Sequence, residues 1–295
     1  MTISEAQKNI EEYYEISNPR EEDDFVYIES LEYLIEKTNE SRYMLELGGF
    51  YYEIEKFDLA LKYYEMAAMK DDDRAYECLG YIWYYGRTGE VDYKKAFEYF
   101  EKAKKLGNTV ASYKYADMYR NGFYVEKDLD KYKSIIEELY EKVKDEKDAF
   151  SSVPEIFTRL AKIRLTENKN EEAKKLLLAA KEILARRISI NAFFGNFTIM
   201  KWLIYDLYKA SVFDDKNFDF FDLYYVLSKS NKVSFKHYDD EYIIESVKEE
   251  EGITIKYNDK WFRNIDDFMR KAELKNNKLA KKYYELEDFK VVKEN

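Results

Sequence analysis

The chain has 295 residues, of which 46% are hydrophobic, 18% aromatic and 37% charged, which supplies a large core and excludes a disordered chain. Two prolines and nine glycines favour helices with short connections over a sandwich or barrel. The net charge of −11 argues against direct nucleic-acid binding, which needs Lys and Arg to displace counterions, and suits a basic partner.

Residues 3–17 and 22–38 read as a first helix pair around Ser17-Asn18-Pro19-Arg20. Pro19 stops one helix, and the acids after it suit the first turn of the next. In the second helix Phe25, Ile28, Leu31, Leu34 and Ile35 recur at helical spacing and form its apolar face.

Residues 41–70 read as a helix–turn–helix with Gly48 and Ala60 where the two helices cross closely, since a larger side chain would force them apart. The pattern then recurs about every 32 to 36 residues: Leu47-Gly48 with Tyr51-Tyr52, Leu79-Gly80 with Trp83-Tyr84, and Tyr115-Ala116 with Tyr119. Residues 73–107 repeat it with a longer loop, where Gly86 and Gly89 are free to take positive φ. Residues 109–143 follow, with Tyr132 in the place of Ala96 implying an altered crossing. Residues 154–187 restore the simple form, with Ala161, Ala173 and Ala180 at the small positions and Pro154 in a first helical turn.

These segments resemble tetratricopeptide repeats, and residues 75–107 and 111–140 resemble the Sel-one-like variant. The resemblance rests on Leu79-Gly80, Tyr84, Gly86, Gly89, Val91, Asp92, Ala96, Tyr99 and Ala103, covers about residues 41–187, and departs from the pattern at Tyr132 and Lys104. It implies a mainly α fold, an α-solenoid of helix pairs that acts as an adaptor with a concave groove rather than as a catalyst. The first helix of each pair would line that groove. Aligning the small central residues places Arg42, Tyr52, Arg74, Glu77, Tyr81, Tyr84, Tyr113, Asp117, Arg120 and Lys162 there. Tyr and Arg dominate binding hot spots, although many of these tyrosines could equally fill the core between helices.

Residues 190–230 read as helical caps on the last repeat, with Phe197, Met200, Leu203, Ile204 and Leu207 on one face and Phe218, Phe221, Leu223, Tyr224 and Leu227 on another. The uncharged run Ile188 to Met200 is too short and polar to span a bilayer and reads as a buried helix or turn. From residue 232 the period changes to alternation. Tyr242–Lys248 and Ile253–Phe262 read as a hairpin around Glu249-Glu250-Glu251-Gly252, Asn264 caps a helix, and Glu287 to Val292 adds a strand. The domains expected are therefore a helical solenoid with caps, 1–231, and a small α+β module, 232–295.

Catalytic chemistry is poorly supplied. His237 is the sole imidazole and reads as an exposed strand residue, and Cys78 is the sole thiol and reads as buried and inert. Asp239-Asp240-Glu241 ahead of the hairpin resembles a nuclease strand, but Ile253-Thr254-Ile255-Lys256 lacks the matching acid. No phosphate loop or dinucleotide fingerprint occurs. No signal peptide is visible in Met1 to Glu15. The expectation is a cytoplasmic, non-catalytic adaptor without cofactor or metal, binding a protein or peptide with no membrane contact. The alternative is an acidic inhibitor or immunity-type protein that blocks a basic or nucleic-acid-binding partner.

Overall fold

The computed structural model describes residues 1–16, 18–214, 217–229, 232–250 and 252–292; Ser17 of the first connection and Glu251 of the acidic turn lie outside the described residues. The chain falls into two compact units, Met1–Ile135 and Ile136–Asn295, and each is described by itself.

The first unit consists of paired helices: α1 (Ile3–Glu15) with α2 (Glu21–Thr38), α3 (Ser41–Glu53) with α4 (Phe57–Ala68), α5 (Asp73–Tyr85) with α6 (Tyr93–Lys105), then α7 (Thr109–Asn121) and the start of α8 (Leu129–Val143). The first three pairings expected here are present, and at the start of α8 the Lys131 ammonium lies 4.1 Å over the Tyr119 ring of α7. One detail differs: Phe25 is 66% exposed, and α2 turns Tyr27, Ser30, Leu31, Leu34 and Ile35 inward instead. Tyr27 stacks on Tyr13 at 4.1 Å, which takes the inward place that a Phe25 face would have filled.

The repeat is visible in hydrogen bonds as well as in sequence. In the longer loops Gly86 and Gly122 both adopt left-handed φ, +61° and +73°, as helix C-caps. Asp92 N–H donates to the Trp83 carbonyl and Asp128 N–H to the Tyr119 carbonyl, each at 3.0 Å, before each Asp caps the helix that follows. The short loop after α3 closes differently, with Lys56 N–H donating to the Tyr51 carbonyl at 2.8 Å.

The small central residues sit where a ring from the partner helix presses on the backbone. A Cβ on Gly48 would lie 2.6 Å from Tyr64 Cε1, and one on Gly80 would lie 2.4 Å from Phe100 Cε1. Both rings are buried. In sequence register, Leu177 follows Ala161 at the same spacing of 16 that separates Tyr64 from Gly48.

The second unit contains α9 (Val153–Thr166) and α10 (Asn170–Ile190), then α11 (Phe194–Ala210), a 3-10 turn at Phe220–Asp222 and the short α12 (Leu223–Val226). Both apolar faces expected for 190–230 are buried, but regular helix ends at Ala210 and resumes for only four residues. Ile188–Met200 is the junction of α10 and α11 rather than a buried segment, since Ile190, Phe193 and Phe194 are exposed. Two buried cations hold this unit. Arg187 donates to the Ala149 and Ser151 carbonyls and to Glu155, which pins the loop before α9. Lys181 reaches both oxygens of buried Asp222, at 2.9 and 2.8 Å, and Asp219 at 2.8 Å. Burial alone would lower the Lys181 pKa; the two carboxylates outweigh it and hold the ammonium above its usual range.

The strands form an antiparallel sheet in the order β4-β3-β2-β1-β7, built from β1 (Lys232–His237), β2 (Asp240–Glu249), β3 (Gly252–Tyr257), β4 (Lys260–Phe262) and β7 (Leu286–Val291). The β2–β3 hairpin and the tail strand are those expected. The second run is split by Asn258-Asp259, both left-handed at φ 47° and 58°, which makes a two-residue hairpin turn to β4. Helix α13 (Ile265–Lys271) is capped by Asn264, whose side chain accepts from Asp267 N–H at 2.9 Å, and Phe268 packs edge-on against Tyr257. A small ribbon, β5 (Glu273–Leu274) with β6 (Asn277–Lys278), follows before β7.

His237 is not the exposed residue expected. It is buried, with Nε2 3.3 Å from Glu285 and Nδ1 without a partner among the described residues, because the strand β7 that pairs with β1 brings the preceding Glu285 over it. Cys78 is half-buried, and desolvation of its sulfur pushes the thiol up to about 12, as an inert thiol requires.

The Gly80 contact gives a prediction of definite sign. An alanine in an unstrained helix position gains about 1 kcal/mol over glycine, whereas overpacking a filled core costs about 1–3 kcal/mol. Gly80→Ala is expected to lower stability in urea denaturation, and to cost less in a Phe100→Leu background, where the ring has gone. An equal cost in both backgrounds would show that Phe100 does not set the crossing.

Candidate protein-binding face on the repeat helices

Helices α3, α5 and α7 are the first members of successive pairs. Their N-termini are tied together by capping residues. Asp72 caps α5 through Arg74 and Ala75 N–H, and its other oxygen accepts from Ser41 Oγ at the start of α3, at 2.7 Å. Asn108 caps α7 through Ala111 N–H at 2.7 Å, and its Nδ2 donates to Asp73 and Glu77 of α5, each at 2.9 Å. Each cap therefore serves its own helix and the neighbouring repeat. Burial raises the Glu77 pKa, against the Asn108 hydrogen bond that lowers it.

Beyond Glu77 the two helices present an aromatic and cationic surface. Tyr81 stacks on Tyr85 at 5.9 Å and meets Phe100 edge-on at 5.7 Å. The Lys114 ammonium lies over the rings of Tyr81, Tyr84 and Tyr85, at 5.0, 5.5 and 5.8 Å. Arg120 follows one turn on, 3.6 Å from Asp117 and over the Tyr132 ring at 5.5 Å. Burial is the main reason the Tyr81 and Tyr84 hydroxyls titrate above their usual range, so both stay protonated and remain able to donate.

The residues expected on this face divide into groups. Glu77, Tyr81, Tyr84, Tyr113, Asp117 and Arg120 come together on α5 and α7. Within that set Tyr113 and Asp117 are buried, 6% and 4% exposed, because α7 buries almost its whole length. Both are therefore buried rather than exposed on that face. Tyr84 is half-buried against Tyr85, Tyr93, Phe100 and Phe123, so it is as much core as surface. Tyr52 accepts from Arg87 Nε at 2.9 Å, at the other end of α3. Arg74 is exposed, and so is Arg42, which pairs with Glu40 and donates to Tyr43. Lys162 belongs to the second unit, where it pairs with Asp206 at 3.5 Å.

Three residues went unforeseen. Tyr85 is 48% exposed and stacks on Tyr81, Lys114 covers three rings, and Arg87 lies between 5.4 and 5.6 Å from the rings of Tyr52, Phe57 and Tyr85. Arg87 and Thr88 also line a pocket of about 350 Å³ with Glu55, Lys56, Phe57, Asp58 and Leu59 at the start of α4. The doubled Tyr84-Tyr85 followed by Gly86-Arg87 was the available signal, since Gly86 turns the chain back toward α3.

Paired helices of matching length, joined by two recurring loop types and linked cap to cap, define a helical-repeat protein of the kind typical of interaction scaffolds. Part of this chain is similar to the Sel1 repeat: the Sel1 repeat family model matches residues 42–72, 74–108 and 109–131. No curated protein matches the chain. Among solved structures, a Sel1 repeat protein from Oxalobacter formigenes is 18% identical over 69% of this chain and 78% of its own, with a TM-score of 0.48. The protein c5321, a protective antigen present in uropathogenic Escherichia coli strains displaying an SLR fold, is 16% identical over 70% of this chain and 48% of its own, with a TM-score of 0.51. Yeast Tom70 is 16% identical over 70% and 47%, with a TM-score of 0.38. At these identities the likeness concerns the fold alone. Among the described residues no helix is long and apolar enough to cross a membrane.

The double duty of Asn108 is open to test. Removing a cap and leaving two acceptors unmet costs about 1–2 kcal/mol. Asn108→Ala should lose that much in thermal or urea unfolding, and Asn108→Asp should be worse than Asn108→Ser, because it keeps a cap but sets a third carboxylate against Asp73 and Glu77. Equal stability of Asn108→Asp and Asn108→Ser would contradict the bridge.

Proposed function

We propose that the protein is a non-catalytic adaptor that binds a peptide or protein segment along the face formed by α3, α5 and α7. The observation that carries this reading is the half-exposed cluster of Tyr81, Tyr85, Lys114 and Arg120. It offers aromatic area with polar tips beside cations whose counter-charges, Glu77 and Asp117, are fixed by the fold. Such surfaces give contact area at low cost in side-chain entropy. No cofactor is needed for this role, and a cytoplasmic location is part of the proposal.

A second reading, an inhibitor that blocks a basic or nucleic-acid-binding protein, is favoured by one fact. Residues 1–135 carry 29 acidic and 19 basic side chains, whereas residues 136–295 carry 31 and 30. The two readings differ in salt dependence, since an inhibitor of this kind would lose affinity steeply with salt.

Affinity capture with quantitative mass spectrometry tests the adaptor reading. Tyr84 is a poor choice of variant because of its core contacts, so the variants are Tyr85→Ser and Arg120→Ser together, with helicity checked by circular dichroism. The partners recovered by the wild type should fall about tenfold or more, as expected when a hot-spot pair is removed. A folded double variant that recovers the same partners equally well would sink the proposal.

A further inference from the structure

The net charge is concentrated in a short stretch. Residues 1–40, which hold α1 and α2, carry 12 acidic and three basic side chains, while residues 41–295 carry 48 and 46. Part of this acidity has a local account. Glu21 to Asp24 form the first turn of α2, where carboxylates meet the positive end of the helix dipole. Glu29, Glu32 and Glu36 have no such account. They recur at spacings of three and four toward the C-terminal end of α2, where like charges repel and the dipole disfavours them. Glu32 accepts from Tyr63 and Glu36 pairs with Lys37, but among the described residues Glu29, like Glu11 and Glu15 of α1 and Glu21 at the start of α2, forms no ion pair.

The same face carries two apolar side chains that the core does not use, Phe25 and Val26. Glu22, Phe25, Val26, Glu29 and Glu36 fall within one side of α2 at helical periodicity, beside Tyr33, which packs against the core. Phe25 is 66% exposed and Val26 43%. The inward side is already filled by Tyr27, Ser30, Leu31, Leu34 and Ile35. On this face Glu22 meets only exposed Arg20, at 3.8 Å, Glu36 meets Lys37, and Glu29 forms no ion pair among the described residues. An exposed ring set among these carboxylates repels nucleic acid and anionic lipid, and complements a cationic chain.

We propose that this outer face of α2 is a docking surface for a Lys/Arg-rich protein segment. The segment's cations pair with Glu22, Glu29 and Glu36 and lie over the Phe25 ring, and an apolar residue of the segment packs on Phe25 and Val26. The surface is separate from the Tyr81–Arg120 face, and the proposal stands whether or not that face binds a partner.

The test uses the full chain and a fluorescein-labelled Lys-rich peptide with a central Leu pair, against the same peptide with Glu in place of Lys. Fluorescence anisotropy should show binding of the first and none of the second, with affinity falling steeply between about 50 and 300 mM salt. Phe25→Ser, a surface change that leaves the core intact, should weaken binding about tenfold. Glu22→Gln with Glu29→Gln should weaken it and flatten the salt dependence, while Tyr85→Ser/Arg120→Ser should bind as the wild type does. Loss with the Gln pair but not with Phe25→Ser marks general charge attraction and overturns the proposal. So does loss with the Tyr85/Arg120 variant while Phe25→Ser binds normally.

Discussion

The first unit depends on how closely two helices of a pair approach. At Gly48 and Gly80 the backbone of the first helix lies against the ring of Tyr64 or Phe100, leaving no room for a single methyl. That contact removes a large aromatic area from water in one step, worth on the order of 2–3 kcal/mol per ring. It also fixes the rotation of the first helix. Tyr81 follows Gly80 directly and meets the edge of the same Phe100 ring, so the ring that seats the crossing also orients the first residue of the candidate binding face.

Electrostatics act at a different place in the repeat. The crossings are apolar, whereas the links between repeats are polar: Ser41 with Asp72, and Asn108 with Asp73 and Glu77. A cap shared between repeats satisfies an orphan helix N–H and supplies a specific neighbour contact at once, so register between repeats is set by directional bonds rather than by packing alone. Carboxylates without an ion pair among the described residues, such as Glu11, Glu15 and Glu29, lie elsewhere, on α1 and α2, where solvent relieves their repulsion and the proposed cationic segment would relieve it further.

Much of this was legible in the sequence because it follows from periodicity and small residues. The helix pairs, the Gly86 turn, the Asn264 cap, the hairpin and the tail strand all rest on local rules. What escaped depends on through-space neighbours. Phe25 has helical spacing to Leu31 and Leu34 and was assigned to their face, yet Tyr27 stacks on Tyr13 and takes the inward position. His237 looked exposed because its sequence neighbours are polar, but Glu285, from 48 positions later, lies over it. On α5 and α7 the register brings Glu77, Tyr81, Tyr84 and Arg120 of the candidate face together. It did not separate half-buried Tyr81 from buried Tyr113, since both follow the same helical spacing. It passed over Arg87 and Lys114, whose aromatic contacts come from other helices.

The central claim is that ring-filled crossings and shared caps make α3 to α7 a single cooperative block. Native-state hydrogen exchange at increasing denaturant tests it most directly. The account predicts that the core amides of α3, α4, α5, α6 and α7 merge onto one opening with one denaturant slope. Separate opening of α3–α4 from α5–α6, at distinct free energies across the whole denaturant range, would contradict it.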